Sequence, residues 1–327
     1  MSGTRIVVAG AGAIGLFVGG LLAAAGRDVA FLGRARIAAE IAEHGLHLSD
    51  IEGGAWSIAP EVSEDPAVLA GADVVLVCVK SGASAEMGAL IAAHAPEGAV
   101  VISLQNGVRN GDILRAALPG RDVRAGMVGF NVVALGQGRF HRATSGEVMI
   151  GTGPGDWAEA LDVPGLVFED MLGFEAVQWG KLLLNLTNAI NALSGLPLRE
   201  MLMDRDWRRV MAAQLSEALA VLSEAGIDAA VPAKAPGWAI PFILRLPTWA
   251  FQRVAAPMLQ VDGAAKTSMV ADLEAGRRTE IDVLQGEILA LAAGQDREMP
   301  VMTRVTEAIR AAERDGLRPV AASSLLV

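Results

Sequence analysis

Residues 6–26 carry no charge, lie between Arg5 and Arg27, and contain six glycines: Gly10, Gly12, Gly15, Gly19, Gly20 and Gly26. By length such a run could cross a bilayer, and Ala23–Ala25 imitates a signal-peptide cleavage site. The glycines break both patterns and favour a buried strand, a tight turn and a buried helix. Residues 5–9 (RIVVA) read as the strand, GAGAIG at 10–15 as the turn, and 14–25 as a helix closed by Gly26. Between a strand and a helix, G-x-G-x-x-G is a dinucleotide-binding pattern. Gly10 permits the turn, Gly12 lets backbone approach a pyrophosphate, and Gly15 lets helix and strand pack closely. Free N–H groups and the positive dipole end of the helix then face phosphate. Gly10, Ala11, Gly12, Ala13, Ile14 and Gly15 are therefore the expected cofactor-binding loop.

A second strand over 29–32 ends at Leu32-Gly33-Arg34. NAD sites place an acid about 20 residues beyond the glycine loop to hold the ribose 2′-hydroxyl. Here Arg34 stands at the strand end with Arg36 close by, and a guanidinium suits a 2′-phosphate through bidentate, charge-assisted bonds. The expected cofactor is NADPH; the competing reading makes Arg34 a solvated residue at a helix start. Apolar runs at 74–79 and 100–104 are followed by Lys80 and Asn106. Ligands of doubly wound sheets sit beyond the carboxyl ends of strands. Lys80 is thus assigned to cofactor phosphate or ribose, and Asn106 to nicotinamide or a substrate carbonyl, although Asn-Gly is also a good turn. Alternating strands and helices imply an α/β fold with a doubly wound, mainly parallel sheet. Residues 123–150 are expected to finish that sheet with hairpin-like strands.

After about residue 172 helical patterns take over, at 174–193, 204–225, 262–275, 279–293 and 301–314. The expected division is a Rossmann domain over 1–172 and an all-helical domain over 173–327. The stretch 227–260 has five prolines and reads as a loop with short helices. Its apolar part, 238–259, reads as a subunit interface, which would make a homodimer, or as a substrate lid. Within WGKLLLNLTNAINAL (179–193), Lys181, Asn185 and Asn188 are spaced i, i+4, i+7 and share one helix face. Burying them without partners is costly, so the stripe marks a polar cleft, or else a snorkelling lysine with two loop-bonded amides. In SMVADLEAGRRTEID (268–282), Thr279 is expected as N-cap, with Glu280 and Asp282 in the first turn. A helix dipole alone would explain those acids; Arg277 and Arg278 are either solvated or paired with them.

Composition removes other classes. A net charge of −10 with no dense Lys/Arg run argues against a nucleic-acid partner. Cys78 is the only cysteine, so no internal disulfide forms, and a reducing, cytoplasmic setting is expected. Tyrosine is absent, which excludes a phenolic proton donor. The four histidines, His44, His47, His94 and His141, lack metal-ligand spacing, so no metal is expected. No second membrane-span candidate occurs.

Taken together, GAGAIG (10–15), VKS (79–81), LQNGV (104–108), WGKLLLN (179–185) and SM-x-x-D-L-x-x-G-R-x-T-E-I-D (268–282) resemble the ketopantoate reductase (2-dehydropantoate 2-reductase) family, in family order over most of the chain. The resemblance implies an active site between an NADPH-binding Rossmann domain and a helical domain, reducing a small 2-keto acid, foremost ketopantoate, to a 2-hydroxy acid. It implies Lys181 as proton donor to the developing alkoxide and Glu280 as the acid that orients lysine and ligand. It also implies Asn106, Asn185 and Ser268 as contacts to cofactor or substrate, with Asn188 continuing the stripe. Two departures concern the substrate. Ala265 stands where the family's pocket has an asparagine, and Asn188 and Asn191 stand where the family has one asparagine followed by proline. A different 2-oxo acid is one alternative. A β-hydroxy acid dehydrogenase is another, though its usual glycine-and-methionine loop is absent; a non-catalytic NADP(H) sensor is the third.

Overall fold

Apolar runs too short for helices become strands, and the longer runs between them become helices, as parallel α/β packing requires. The computed structural model describes residues 3–231, 235–256 and 267–326, and the chain divides into two units, Met1–Phe174 and Glu175–Val327. The first unit runs β1 (Arg5–Ala9), α1 (Ala13–Ala24), β2 (Asp28–Leu32), α2 (Ala35–His44), β3 (Leu46–Asp50), β4 (Ala55–Ile58), β5 (Val62–Ser63), β6 (Val74–Val77), α3 (Ser84–His94), β7 (Val100–Ser103), α4 (Asn110–Ala117), β8 (Val123–Val128), β9 (Val132–Gly136), β10 (Arg139–Arg142), β11 (Val148–Gly151), α5 (Trp157–Leu161) and β12 (Phe168–Met171). An eight-stranded sheet has the order β12-β11-β8-β7-β6-β1-β2-β5. Its strands from β8 to β5 pair in parallel, and β11 joins β8 antiparallel.

Strand periodicity splits the core in two. Ile6, Val8, Val74, Leu76 and Ile102 pack with Leu16, Phe17 and Leu21 of α1. Val7, Ala9, Val75, Val77 and Val101 pack on the other face with Ile91 of α3 and Leu114 of α4. The uncharged 6–26 run is thus a buried strand and a helix whose Gly15–Leu22 stretch is buried. Cys78 is partly buried against the first of these cores, and desolvation pushes its thiol up to about 12, which leaves it a poor nucleophile.

The expectation for residues 123–150 is half met. β8 and β11 do extend the main sheet, but β9 and β10 leave it and build a second, four-stranded sheet, β4-β3-β10-β9. Arg142 on β10 and Asp50 on β3 form a buried pair at 3.2 Å, and Arg142 also lies over the Phe130 ring. That long-range pairing has no local sequence signature.

Among its described residues the second unit is helical: α6 (Phe174–Asn185), α7 (Thr187–Ser194), α8 (Leu198–Met203), α9 (Arg205–Glu224), α10 (Ile240–Arg245), α11 (Thr248–Val254), α12 (Ser268–Glu274), α13 (Ile281–Ala293), α14 (Pro300–Asp315) and α15 (Ala322–Leu325). The expected helix 174–193 is broken at Leu186, and α12 starts at Ser268; residues 262–266 lie outside the described residues, as does Ala265. Arg208 of α9 is wholly buried. Its five N–H groups meet Leu202 O, Met203 O, Leu244 O, Leu246 O and Thr248 Oγ1 at 2.9–3.2 Å, and it stacks on Phe251. One guanidinium thereby ties the ends of α8 and α10 and the start of α11 to α9. Among the described residues no helix is long and apolar enough to cross a membrane.

Candidate active site

The first cluster lies at the carboxyl edge of four adjacent strands, β7, β6, β1 and β2. After β1 the chain turns at Gly10, whose φ is +117° and whose added Cβ would stand 2.6 Å from Val79 N. Glycine is obligatory there on both counts. Gly10 N and Ala11 N donate to Leu32 O at 3.0 and 3.1 Å, locking the loop to the end of β2. A Cβ on Gly15 would reach Gly10 O at 2.1 Å, so α1 sits as close to β1 as a hydrogen side chain allows. Gly12 differs: its φ is −88° and a Cβ would meet nothing within 4 Å. It opens α1 at the N-cap position with no side-chain cap, leaving an open cradle of backbone N–H groups. A dinucleotide pyrophosphate fits such a cradle. Arg34 is exposed as the N-cap residue of α2, directly after β2. Arg36 is engaged with Glu40 at 3.5 Å.

Lys80 and Asn106 are exposed in the loops that follow β6 and β7. Beneath them lies a polar set that reading the sequence for ligand contacts passes over: Ser81, Ser84, Gln105 and Asn110, each at most 8% exposed. They belong to the VKS and LQNGV motifs or start the next helix, and no periodicity separates them from ordinary turn residues.

The second cluster belongs to the helical unit. Lys181 and Asn185 are half-buried on α6, and Asn188 is half-buried on α7, beyond the break. Burial lowers the Lys181 pKa from its usual 10.5. The break has a physical cause. Leu186 O accepts Gln214 Nε2 at 3.2 Å and Gln285 Nε2 at 3.0 Å, both from almost fully buried glutamines. Side chains inserted at a helix carbonyl bend the helix. Gly180 explains the glycine inside WGKLLLN: a Cβ there would stand 2.0 Å from Ala230 O, where the chain crosses α6 and Ala230 N donates to Ala176 O.

Asn191 is buried and structural, donating to Leu196 O at 2.9 Å in the turn after α7. Ser268 is exposed as the first residue of α12, and its neighbour Thr267 donates to Asn188 O at 3.4 Å. Asn188 and Ser268 are thereby brought together. Glu280 is half-buried and itself holds the N-cap position of α13, so the helix starts one residue later than expected. Thr279 still serves the helix start, since its hydroxyl accepts from Ile281 N at 3.2 Å. Glu313 Oε1 of α14 holds Thr279 through both its N–H and its hydroxyl, at 2.7 and 2.8 Å. Asp282 pairs with Arg310 at 2.6 Å, and Arg277 pairs with Asp272 at 3.0 Å rather than with Glu280 or Asp282. Gln285 links α13, which Glu280 precedes, to the Leu186 break that follows Lys181 and Asn185. Among the described residues no cluster of His, Cys, Asp or Glu could hold a metal.

Comparison with known proteins bears on these two clusters. Residues 6–155 match the family model described as ketopantoate reductase PanE/ApbA, and residues 173–313 match its C-terminal counterpart. A 2-dehydropantoate 2-reductase of Halobacterium salinarum is 28% identical over 326 residues, spanning 95% of this chain and all of that protein. A PanE/ApbA family ketopantoate reductase from Ralstonia eutropha superposes with a TM-score of 0.82 at 28% identity, covering 96% of this chain and 99% of the other. A D-mandelate dehydrogenase bound to NADH and anilino(oxo)acetate shares the fold, with a TM-score of 0.79 at 22% identity over 99% of this chain and all of that one.

Proposed function

Because the chain belongs to the ketopantoate reductase PanE/ApbA family, whose members are oxidoreductases acting on CH–OH groups with a nicotinamide cofactor, we propose that it reduces ketopantoate (2-dehydropantoate) to pantoate with NADPH. The observation that carries this reading is Lys181, an amine held half-buried on α6 with its pKa lowered by desolvation. A lysine desolvated in this way serves as a proton donor poised closer to neutrality than a solvated one.

When bound, the reduced nicotinamide supplies the hydride. The chain's own residues do the rest. The Gly10–Gly15 loop and the N-terminus of α1 hold the pyrophosphate, Arg34 pairs with the 2′-phosphate, and Lys80 and Asn106 contact the cofactor. Lys181 Nζ gives its proton to the alkoxide that forms at the 2-carbon. Glu280 orients that lysine and the ligand, and Asn106, Asn185, Asn188 and Ser268 bond the 2-oxo acid.

The test is oxidation of NADPH and, in parallel, NADH, followed by absorbance against a panel of 2-oxo acids that includes ketopantoate. Highest kcat/KM with ketopantoate and NADPH supports the proposal. Turnover of another 2-oxo acid alone keeps the chemistry and rejects the substrate. Tight NADPH binding with no turnover rejects the reductase reading.

A further inference from the structure

Lys80 and Asn106 lie in loops that follow different strands, yet buried side chains pin the backbone at or beside each of them. Gln105 Nε2 donates to Val79 O at 2.9 Å, across 26 positions of sequence, and to Ser84 Oγ at 2.7 Å. Asn110 Nδ2 donates to Ser81 Oγ at 2.9 Å and to Asn106 O at 2.5 Å. Ser81 Oγ donates to Asn106 O at 2.9 Å, so that carbonyl uses both lone pairs. Ser84 Oγ reaches Asn110 Oδ1 at 2.7 Å and Ser81 O at 2.8 Å, and Ser103 Oγ donates to Gln105 Oε1 at 3.0 Å. Every amide proton of Gln105 and Asn110 has an acceptor, which fixes both amide orientations. Buried polar networks satisfied to this degree rigidify what they support, while a partly satisfied one is costly.

The pinned backbone atoms are Val79 O, just before Lys80, and Asn106 O itself. The pinning side chains point into the protein, and Lys80 and Asn106 lie on the exposed side. The set is more than turn chemistry needs: an Asn-Gly turn is stable without a second strand's loop bonded to it. We propose that Asn110, Gln105 and Ser81 are positioning residues that fix the separation of Lys80 and Asn106, so that the two engage one nicotinamide dinucleotide as a pair. This rests on the reading that those two side chains contact the cofactor. Asn110, at the start of α4, is the hub, because it alone bonds Ser81, Ser84 and the Asn106 backbone.

The experiment is a double-mutant cycle read by NADPH binding, with ligand fluorescence and no substrate present. Asn110→Leu keeps the side-chain size and removes the bonds to Ser81 Oγ, Ser84 Oγ and Asn106 O. In the wild-type background it should raise the Kd for NADPH by about 10-fold. In a Lys80→Ala/Asn106→Ala background, where nothing remains to be positioned, it should change Kd less than about 2-fold. An equal loss in both backgrounds would mean general destabilisation and overturns the proposal. If Asn110→Leu does not fold, Ser81→Ala serves instead, with a smaller rise in Kd that Ser81→Thr reverses by restoring the hydroxyl. Failure of Ser81→Ala to move Kd, or of Ser81→Thr to restore it, also overturns the proposal. Wild-type protein that binds no NADPH removes the cofactor reading itself, a result separable from tight wild-type binding that the variants leave unchanged.

Discussion

Three glycines of one loop should respond to alanine in three different ways, and Gly12→Ala is the informative case. At Gly12 the backbone is ordinary for any residue, with φ −88°, and the added methyl meets no protein atom within 4 Å. The intrinsic cost is that of alanine for glycine at an N-cap, up to about 1 kcal/mol. At Gly15 the same methyl stands 2.1 Å from Gly10 O. Relief requires α1 to move off β1 in the centre of the core, and overpacking of this kind costs about 1–3 kcal/mol or more. Gly10→Ala combines a φ of +117° with a 2.6 Å approach to Val79 N and should be the worst tolerated. Nothing described in the protein requires glycine at position 12, whereas a pyrophosphate lying against the backbone there would. Losing one charge-assisted bond to a pyrophosphate oxygen costs about 1.5–3 kcal/mol, or roughly 10- to 100-fold in Kd. Urea denaturation and NADPH fluorescence titration on the same preparations separate the two effects. Gly12→Ala should unfold near the wild-type midpoint and bind NADPH at least about 10-fold more weakly. Wild-type affinity in Gly12→Ala would refute the cradle, and destabilisation as large as that of Gly15→Ala would show the steric reading of the loop to be wrong.

The other predictions concern the remaining charged and buried groups. Lys181→Met should lower kcat by about 10²–10⁴-fold, the usual worth of a positioned general acid, with NADPH affinity retained. Since burial lowers the Lys181 pKa from 10.5, the wild-type reduction rate should fall with rising pH along a limb centred below 10.5; a limb at or above that value refutes the assignment. The sign for stability follows from linkage. Below the lowered pKa the folded state carries a charge it disfavours, so Lys181→Met gains stability at neutral pH, and the gain fades as pH rises toward 10.5. Arg34→Ser should cut the preference for NADPH over NADH by about 10-fold or more, read from the ratio of kcat/KM values; an unchanged ratio removes Arg34 from the cofactor site. Arg208→Met strips the donors from four backbone carbonyls, leaves those of Leu202 and Leu244 unpaired in the interior, and should cost about 3–5 kcal/mol in urea unfolding, and Arg208→Lys should not restore it, because an ammonium lacks the planar fork.

Much of the first unit is legible locally. β1, the Gly10 turn and α1 follow from apolar runs and glycine spacing, because strand, tight turn and buried helix each have a short-range signature. The second sheet does not, since β3 and β10 are paired across some 90 residues and their burial depends on each other. In the helical unit the spacing of Lys181, Asn185 and Asn188 is visible, while the break at Leu186 is not. Gln214 and Gln285 create that break from 28 and 99 residues away. Thr279 shows the same limit on a smaller scale: its capping role is readable, but its tie to Glu313, 34 residues on, is not.

By itself, then, the sequence determined the alternation that makes a doubly wound sheet, the glycine cradle, the choice of arginine at the end of β2, and a lysine in the apolar run of a helix. These are properties of neighbours along the chain, set by backbone sterics and residue chemistry. Only the tertiary structure decided which polar residues are exposed beyond the strand ends and which lie buried beneath them. Ser81, Gln105 and Asn110 look no different in sequence from Lys80 and Asn106. What separates them is burial, and burial follows from β6, β7, α3 and α4 packing together and enclosing one set of polar side chains while exposing the other.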